Sequence, residues 1–585
     1  MPLPLRRSLL VLLVTLVVVG IGLGVLLAWQ AVKVNSALQQ AVDDAASLKA
    51  ALEQGDDARV EGSLASLQES SALAEERTDG VLWSLGTFLP VVGDDIEGVR
   101  VASRAVADLA SEEGAAPVVR VATRFDDLVP RDGKIDLSAL EALQQPTSQA
   151  ADALSAAVED LSGPDSSGFI QRFRDPYREL LADVSDAAGA MSAARVATDL
   201  LPVALGADGP RNYLLVFQNN AEIRATGGLP GAMAAIRVED GELSLGRQAS
   251  ASSFGERAAG PVLELTRDER AIWGEILGTY ALDANFTPDW PRAAELLRAR
   301  WEETYPERFD GVLTLDTVAV SYLLDATGGV SVGDYEITGD NAVDVLLNQV
   351  YLDIEDPRAQ DALFQAVASA VFEQFRSGQV SSPRAVLDAL RHATEEGRLY
   401  VNLTDDDEQA RILERRISGS TTDADGRSDR IDVTLLDGTG SKMSYYMRFD
   451  VEARPKSCAD GAGRYTIGTT IRSVAPPDAA DLPRYITGGG AYGVEAGTTF
   501  TQARVFTPSG GTVRSLMVNG NEIDIKSRRL GDRGTASGSA FLEPGEVSDI
   551  LWEIEVPDGS RPIEVQVTPG LEDEDESTVL RPACG

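Results

Sequence analysis

An uncharged apolar run near the N-terminus constrains this chain more than any other feature. Leu and Val dominate the run from Ser8 to Trp29, and no residue in it carries a charge. About 20 helical residues cross a bilayer core of about 30 Å, so the run predicts a transmembrane helix over residues 8–29. Arg6 and Arg7 precede it, and an acid-rich chain follows. The positive-inside rule therefore places residues 1–7 in the cytoplasm and the bulk of the chain outside the cell membrane.

A cleaved secretory signal is the alternative interpretation of the same run. Such signals have an apolar region of about 7–15 residues that ends in a small-x-small cleavage site. The run here is longer, and Leu-Leu-Ala-Trp-Gln-Ala at residues 26–31 is a poor cleavage site. We therefore expect an uncleaved anchor and a single-pass protein of the cell membrane. Under either interpretation the bulk of the chain is exported.

Charge and length narrow the classes of partner and of fold. The 585 residues carry a formal net charge of −40 at pH 7. Nucleic acids are polyanions that repel such a chain, so we expect no nucleic-acid partner. A chain this long exceeds one hydrophobic core, and its 43% hydrophobic content is that of globular proteins. Several folded domains are expected.

Apolar periodicity divides the exported part into three regions. Apolar residues recur at steps of three and four through residues 30–204, which predicts an all-α stalk or bundle. Buried-strand patterns alternate with amphipathic helices over residues 205–420, which predicts an α/β domain. The period becomes two over residues 428–585, with Gly and Pro between the runs, which predicts an all-β sandwich. The predicted fold is therefore multidomain, with a transmembrane helix, an all-α stalk, an α/β domain and a β-sandwich.

Local signals predict individual elements of the α/β region. Strands are expected at residues 233–238 and 243–245, joined by a hairpin turn at Glu-Asp-Gly, residues 239–241. Asp289 is expected to introduce a helix over residues 291–301.

Two cysteines, Cys458 and Cys584, both lie in the predicted exported part. An even number of cysteines outside the membrane indicates a disulfide, and two are too few for a thiolate zinc site. The long loop that this bond closes corresponds to about 4–5 kcal/mol of stabilisation in the chain-entropy account.

The densest polar cluster follows the predicted strand at residues 213–217. It reads Gln-Asn-Asn-Ala-Glu-Ile-Arg-Ala-Thr-Gly-Gly over residues 218–228. Domains of the α/β class place ligands at strand ends, and amides, a carboxylate, a guanidinium and glycines can bind a phosphate or a sugar. The alternative is a tight turn whose side chains satisfy exposed backbone groups. Both interpretations stay open.

No familiar catalytic set stands out in the sequence. His392 is the only histidine, and it falls on a predicted helix as a surface residue without an evident partner. The sequence has no nucleophile elbow, no P-loop and no His-based metal cluster. Acidic residues are numerous, but no glycosidase pair is singled out. Whether the protein is an enzyme is left open, and no residue is assigned to a metal.

Three segments resemble the hallmarks of a bacterial membrane family, the domain of unknown function 4012. They are Tyr-Leu-Leu-Val-Phe-Gln-Asn-Asn-Ala-Glu-Ile-Arg-Ala-Thr-Gly-Gly at 213–228, Asn-Phe-Thr-Pro-Asp-Trp-Pro at 285–291 and Asp-Gly-Val-Leu-Thr-Leu-Asp at 310–316. The resemblance covers roughly residues 205–380, and the helices before it and the β-rich tail after it also resemble that family. It implies a membrane-anchored protein and brings little functional knowledge.

A second similarity is to the LytR-CpsA-Psr family of envelope enzymes. Those enzymes move glycopolymers from a polyprenyl-pyrophosphate carrier onto peptidoglycan and use a divalent metal. Gly-Val-Leu-Thr-Leu-Asp at 311–316, followed by Tyr-Leu-Leu-Asp-Ala-Thr-Gly-Gly-Val at 322–330, is similar to that family's strand, helix and turn. The similarity implies a LytR-CpsA-Psr-like α/β domain.

The same similarity implies two counterparts of the arginines that grip pyrophosphate in that family, Arg224 and Arg358. The family's acidic signatures are absent, because Thr-Gly-Gly at 226–228 and Arg-Gln-Ala at 247–249 stand where acids are expected. The similarity therefore implies a shared fold and leaves transferase activity in doubt.

The patterns predict an anchored, exported protein. The resemblances imply that it is a bacterial cell-envelope protein that binds an envelope glycan or its polyprenyl-pyrophosphate-linked precursor, with transfer left open. The alternative is a non-catalytic, membrane-anchored scaffold for cell-wall or polysaccharide-export proteins. The expected anion-binding cleft is lined by Asn219, Asn220, Glu222, Arg224 and Arg358. Glu222 either holds a divalent metal such as Mg²⁺, which no motif indicates, or only orients Arg224.

Overall fold

The structure is a computed structural model that describes residues 33–584, apart from 35, 53, 55, 90, 91, 125–127, 129, 132, 256, 379–382 and 573–577. The predicted cytoplasmic residues 1–7 and the predicted transmembrane run, residues 8–29, lie outside the described residues. Within the described part of the chain, no helix combines the length and the apolar character that a membrane crossing requires.

The chain divides into two compact units. One consists of Met1–Leu128 and Asp136–Val203, and the other of Val129–Ile135 and Ala204–Gly585. The first unit is helical in its described residues, and the second is rich in β-structure toward its C-terminal end. A multidomain chain with a helical N-terminal region and a β-rich C-terminal region, as expected from the periodicity, is confirmed.

Seven helices account for most of the described residues of the first unit. They are α1 (36–52), α2 (Asp57–Thr78), α3 (Val81–Gly86), α4 (Gly93–Ala110), α5 (Glu112–Arg124), α6 (Leu137–Ser162) and α7 (Gln171–Ala204). Two of them begin at acidic caps, since Asp56 accepts a hydrogen bond from the Arg59 amide and Asp136 from the Ser138 amide. Small side chains such as Ala102, Ala105 and Ala157 pack around Phe169 and Tyr177, whose rings meet edge to face at 5.1 Å.

The first two helices form an antiparallel hairpin. Oγ of Ser70 in α2 donates to Oδ2 of Asp44 in α1 at 2.9 Å. Nearer the start of the described chain, Nη1 of Arg77 donates to the Lys33 carbonyl at 2.8 Å. The C-terminal end of α2 therefore lies beside the residue at which the described chain begins.

A five-stranded sheet forms the first half of the second unit. The strands of this half are β1 (Arg211–Arg224), β2 (Gly227–Glu239), β3 (Glu242–Ser250), β4 (Gly311–Asp316), β5 (Val330–Val332), β6 (Tyr335–Ile337) and β7 (Leu399–Leu403). The sheet order is β3-β2-β1-β4-β7, and β5 pairs with β6 separately. Only the central pair, β1 and β4, is parallel.

Helices cover both faces of this sheet. The helices of the second unit are α8 (Arg267–Trp273), α9 (Ile276–Thr279), α10 (Trp290–Thr304), α11 (Thr317–Thr327), α12 (Ala342–Asp344), α13 (Val350–Asp353), α14 (Pro357–Arg376), α15 (Pro383–Glu395), α16 (Asp406–Ile412) and α17 (Arg484–Thr487). A π-helical turn, Val345–Gln349, joins α12 to α13. On one face, Trp290 and Trp301 of α10 pack against Leu214 and Val312 of the sheet. Helices α11, α14 and α15 pack on the other face.

The local predictions for this region hold. Asp289 caps α10 by accepting a hydrogen bond from the Arg292 amide. Asp240 and Gly241 both have positive φ, 51° and 80°, and Glu239 pairs with Glu242 across the turn. This backbone is the one that a tight hairpin between twisted strands requires.

Two further sheets form the C-terminal part. Their strands are β8 (Ile431–Asp437), β9 (Met447–Ala459), β10 (Ala462–Ser473), β11 (Thr499–Ser509), β12 (Thr512–Val518), β13 (Asn521–Glu522), β14 (Arg528–Leu530), β15 (Arg533–Leu542), β16 (Val547–Val556), β17 (Ile563–Val567) and β18 (Thr578–Leu580). The orders are β13-β12-β16-β10-β9 and β14-β15-β11-β8-β17-β18. Ile467 and Trp552 belong to the sheet that contains β10, and Val433 and Val505 belong to the sheet that contains β8. These four residues share one buried core between the two sheets.

The two regions that periodicity separates near residues 420–428 belong to one compact unit. Ile223, near the end of β1, is buried in the core between the two C-terminal sheets. Phe506 of β11 is in turn part of the core that covers the first sheet. Thr568 donates from Oγ1 to the Ala225 carbonyl at 3.0 Å. Each region supplies apolar side chains that the other buries, so they fold against each other.

A disulfide joins Cys458 and Cys584, as the sequence predicts, with 5.0 Å between the two Cα atoms. It ties the end of β9 to the segment that follows β18. The Cys584 amide donates to the Gly559 carbonyl at 2.9 Å, and the Ala583 amide donates to the Tyr465 hydroxyl at 3.1 Å. The C-terminal segment is therefore fixed by hydrogen bonds as well as by the covalent bond.

Candidate functional site

The polar cluster at residues 218–228 does not form a simple turn after a short strand. β1 continues through it to Arg224, and β2 begins at Gly227. The pairing with β2 is irregular between Asn219 and Ile223, so the intervening residues bulge from the ladder. A Cβ on Gly228 would lie 2.3 Å from the Asn219 carbonyl carbon, so only glycine permits this close approach of the two strands.

Part of the cluster serves the fold. The Gln218 side chain donates to Oγ1 of Thr314 at 2.6 Å, and its carbonyl oxygen accepts from Oγ1 of Thr226 at 3.0 Å. Nδ2 of Asn285 donates to that same Gln218 oxygen and to the Gly228 carbonyl. These hydrogen bonds, which join Gln218, Thr226, Asn285 and Gly228 in a buried setting, favour the turn-stabilising interpretation for these residues.

Asn220 also has an internal role. Its Nδ2 donates to Oδ2 of Asp316 at 2.7 Å, and its Oδ1 accepts from the Thr317 amide at 3.2 Å. Asp316 caps α11 through the Ala319 amide and also accepts from Nη1 of the fully buried Arg398 at 2.9 Å. Asn220 thus fastens β1 to the start of α11 and does not line a cleft.

Beyond the bulge lies a cleft of about 680 Å³, which we name the charged cleft. Four basic and four acidic side chains take part in its lining: Arg224, Arg257, Lys442, Arg484, Glu222, Asp283, Glu355 and Asp437. β1, the segment before α10, the end of β8 and the loop after it supply the buried members. The cleft therefore forms where the first sheet meets the β-rich part of the same unit.

Glu222 is the centre of a buried ion network in this cleft. Its Oε1 lies 2.8 Å from Nη2 of Arg224, and its Oε2 lies 2.9 Å from Nζ of Lys442. Arg224 also lies 3.5 Å from Oδ1 of Asp283. The side chains of Arg224 and Lys442 are only 4% and 6% exposed. Both Glu222 oxygens are engaged by cations, which favours the interpretation in which Glu222 orients Arg224.

The network fixes the charge of its central members. Burial alone would raise the pKa of Glu222, but the charges of Lys442 and Arg224 outweigh it and hold that pKa below its ordinary value. Burial alone would lower the pKa of Lys442, and the Glu222 carboxylate instead raises it. All three groups are therefore ionised at neutral pH.

Two other carboxyl groups of the cleft behave differently. Burial raises the pKa of Asp283 to about 6, although Arg224 acts against it. Burial, together with the negative charge of Glu222, raises the pKa of Asp437 to about 6. These groups change charge slightly below neutral pH, so the cleft becomes more positive as the pH falls through 6.

A second cavity, which we name the apolar crevice, lies between the sheet and α14. Its volume is about 90 Å³, and apolar side chains dominate its lining: Phe217, Ala232, Leu315, Val320, Phe364, Val367 and Ala368. Asn219 stands at its border. Phe217 and Phe364 line the crevice and are only partly buried, so the sheet and the helix leave a gap between them.

Tyr351 contacts residues from the lining of each cavity but lines neither of them. Its ring lies 5.8 Å from Phe364, which lines the crevice. The ring stacks at 5.6 Å on Tyr485, which lines the cleft, and the Lys442 ammonium lies 5.7 Å from its centroid. Its hydroxyl accepts a hydrogen bond from Nδ2 of Asn219 at 2.5 Å. The buried Tyr351 therefore connects the lining of the crevice, through Phe364, to the lining of the cleft, through Tyr485.

The five residues expected in one cleft are distributed over the unit. Glu222 and Arg224 line the charged cleft, Asn219 lines the apolar crevice, and Asn220 is buried. Arg358 is exposed on the first turn of α14 and is absent from the lining of both cavities.

Six charged residues of the cleft escaped prediction: Arg257, Asp283, Glu355, Asp437, Lys442 and Arg484. Each comes from a segment whose local pattern is ordinary. The only available signal was the rarity of lysine in an arginine-rich chain, and rarity alone does not indicate a site.

Metal and histidine chemistry receive no geometric support in the part of the chain that the structure describes. No group of three or more His, Cys, Asp or Glu side chains is arranged there to hold a metal ion. His392 lies on α15 with its Nε2 2.8 Å from Oε1 of Glu396, and its ring packs against Tyr322.

Comparison with known proteins identifies the central region. Residues 208–351 match the model of a family described as protein of unknown function (DUF4012), which confirms the first resemblance. No curated protein matches the chain. Among solved structures, the chain is similar to one titled crystal structure of the transcriptional regulator yvhJ from Bacillus subtilis. The match has 13% identity and a TM-score of 0.21, and it covers 37% of this chain and 78% of that one. The LytR-CpsA-Psr similarity stays a prediction.

Proposed function

We propose that this chain, which carries a DUF4012 region over residues 208–351, is a membrane-anchored protein of the bacterial envelope that binds a polyprenyl-pyrophosphate-linked glycan precursor. The prenyl chain enters the apolar crevice, and the pyrophosphate and glycan occupy the charged cleft. The observation that carries the proposal is that Tyr351 connects the linings of the two cavities through Phe364 and Tyr485. An apolar cavity and a polar cavity whose linings are connected in this way suit a ligand that is itself apolar at one end and anionic at the other.

The lining of the crevice supports the apolar half. Phe217 and Phe364 line it and are only partly buried, and a ligand chain that packs against them would remove apolar surface from water. Each buried methylene contributes about 0.8 kcal/mol, so even a short prenyl segment adds measurable affinity.

The basic residues of the cleft support the anionic half. Arg257 and Arg484 stand exposed at its rim, and Arg224 and Lys442 lie deeper. Guanidinium groups suit phosphate because two N–H groups can bind one phosphate side by side. Protonation of Asp283 and Asp437 would remove two negative charges near Arg224, so we expect the pyrophosphate to bind more tightly below pH 6.

Geranyl pyrophosphate is a suitable probe, compared with inorganic pyrophosphate by calorimetry on the full chain in lipid nanodiscs. The prenylated probe should bind at least tenfold more tightly, since it occupies both cavities. The Ala368→Phe variant fills the crevice and should reduce that advantage to less than threefold. Ala366→Phe, on the exposed side of α14, is the matched control and should retain it.

A double substitution tests the role of the charged cleft. Arg257→Ala combined with Arg484→Ala should weaken both probes by about tenfold, because both carry the pyrophosphate group. Equal affinity for the two probes would refute the assignment of the crevice. Absence of binding by either probe would overturn the proposal and leave the scaffold as the better interpretation.

A further inference from the structure

An exposed apolar surface lies on the first unit, around α3. We name Val81, Leu85, Phe88, Leu89 and Val92 the apolar tip. Phe88 is 84% exposed, Val81 78% and Leu85 61%, and the other two are also exposed. No residue from Gly80 to Gly93 carries a charge, in a chain that is 25% charged.

Such a surface is unusual for a protein part that meets only water. Single exposed apolar residues are common, whereas a contiguous group marks a surface that contacts a membrane or another protein. All members of the apolar tip come from one short segment between α2 and α4. The segment therefore has the composition of a contact surface.

The apolar tip lies at the end of the unit where the chain enters. Arg77, at the end of α2, donates to the Lys33 carbonyl, and α3 follows directly. The predicted transmembrane run ends at Trp29, four residues before Lys33. Four residues span at most about 14 Å even when fully extended. The end of α2 thus lies close to the point where the predicted span leaves the bilayer.

The tip also projects past the end of α2. α4 runs antiparallel to α2, since Arg100 donates from Nε to the Thr78 carbonyl at 3.2 Å and Ala110 packs against Leu67. α4 begins at Gly93, seven residues before Arg100, which corresponds to about 10 Å of helix. The segment between the two helices therefore extends about 10 Å beyond α2, in the direction of the Lys33 end.

Charged residues surround the base of the projection. Arg100 and Arg104 both lie near Asp79, and the Arg104 side chain is about half exposed. Arg77 is on the preceding turn of α2. Acidic residues lie there too, since Asp94 and Glu97 are exposed near the start of α4, so the base carries both signs of charge. The exposed part of Arg104 is the basic group placed to meet lipid phosphates beside an inserted apolar end.

We propose that the apolar tip inserts into the outer leaflet of the membrane that residues 8–29 are predicted to span. The partner is the lipid surface itself. The inference depends on the predicted span but not on the ligand of the charged cleft. It gives the helical unit a second attachment beside its anchor.

Site-directed spin labelling of the full chain in nanodiscs tests the proposal. The chain's two cysteines form the disulfide, so a single introduced cysteine is the only free thiol. Phe88→Cys reports on the apolar tip. Ala58→Cys, exposed near the start of α2 and about 30 Å away along the helix, is the matched control, and Val18→Cys reports on the predicted span.

Oxygen concentrates in lipid and a nickel chelate stays in water, so the ratio of their collision rates reports depth. The ratio of the oxygen collision rate to the nickel-chelate collision rate should be at least fivefold higher for the label at residue 88 than for the label at residue 58. Similar ratios at residues 88 and 58, together with a deep label at residue 18, would overturn the proposal while leaving the span intact. A shallow label at residue 18 would remove the span and the proposal with it. Dipolar broadening between labels at residue 88 would show a second copy as the occupant and would also overturn it.

Discussion

Nζ of Lys442 lies 2.9 Å from Oε2 of Glu222, although 220 positions separate the two residues in the chain. Glu222 belongs to β1 of the first sheet, and Lys442 follows β8 of the β-rich part. The pair therefore joins the two halves of one compact unit at the wall of the charged cleft. Stability and the candidate site are linked at this point.

Glu222→Gln should destabilise the protein by about 3–5 kcal/mol, because it leaves Arg224 and Lys442 buried without their central carboxylate. Urea unfolding measures the loss. Glu239→Gln, which breaks the exposed pair with Arg237, is the control and should cost less than about 0.5 kcal/mol. Equal effects of the two substitutions would contradict the buried network.

Asp283→Asn should change how stability depends on pH. The pKa of Asp283 is about 6 in the fold and has an ordinary value of 3.8. Between these values the unfolded chain releases the proton while the folded chain keeps it, so rising pH lowers the free energy of unfolding. The contribution is on the order of 3 kcal/mol and is fully lost above pH 6.

The Asp283→Asn variant has no carboxyl group at this position, so its free energy of unfolding does not fall in this way as the pH rises. Its stability relative to the natural chain should therefore increase between pH 4 and pH 7, as measured by urea unfolding at each pH. A difference that stays constant over this range would show that Asp283 titrates normally.

Gly228→Ala should cost about 3 kcal/mol, since the new Cβ meets backbone atoms of Asn219 that cannot move aside. Gly231→Ala, in the same strand, is the matched control. Its Cβ would lie 3.8 Å from its nearest neighbours, an ordinary contact, so thermal unfolding should show little change. A mild effect at residue 228 would mean that the bulge can relax.

Cys458→Ser combined with Cys584→Ser should lower the free energy of unfolding by about 4–5 kcal/mol. Because both halves of the second unit share their cores, the loss should appear in one cooperative transition of that unit. Differential scanning calorimetry resolves this point. Reduction of the natural chain should reproduce the shift, and a separate early transition of the β-rich part alone would contradict the shared core.

Much of the fold follows from local signals. The cap at Asp289, the hairpin turn at Asp240 and Gly241, and the apolar stripes of α4 and α6 act over a few residues, so the sequence displays them directly. The disulfide followed from cysteine number, because two residues allow one pairing.

The candidate site follows much less directly. Asn220 and Gln218 have the composition of a binding cluster, but their partners, Asp316 and Thr314, are about a hundred residues away, and only the folded sheet brings them together. The raised pKa of Asp283 likewise arises from burial among distant segments. Arg358 was expected from the order of elements in another family, and the order does not determine on which side of α14 a residue lies.

The positions of the two cysteines in the chain also determine how long Cys458 is present before its disulfide partner is synthesised. A ribosome that adds about 5–20 residues per second needs on the order of 10 s to move from Cys458 to Cys584. In an exported chain, the Cys458 thiol is therefore outside the membrane before the residues that form β10 to β18 have been exported. Many secreted proteins risk joining the wrong cysteines during such a delay. This chain has no third cysteine, so every intramolecular oxidation that occurs produces the native bond.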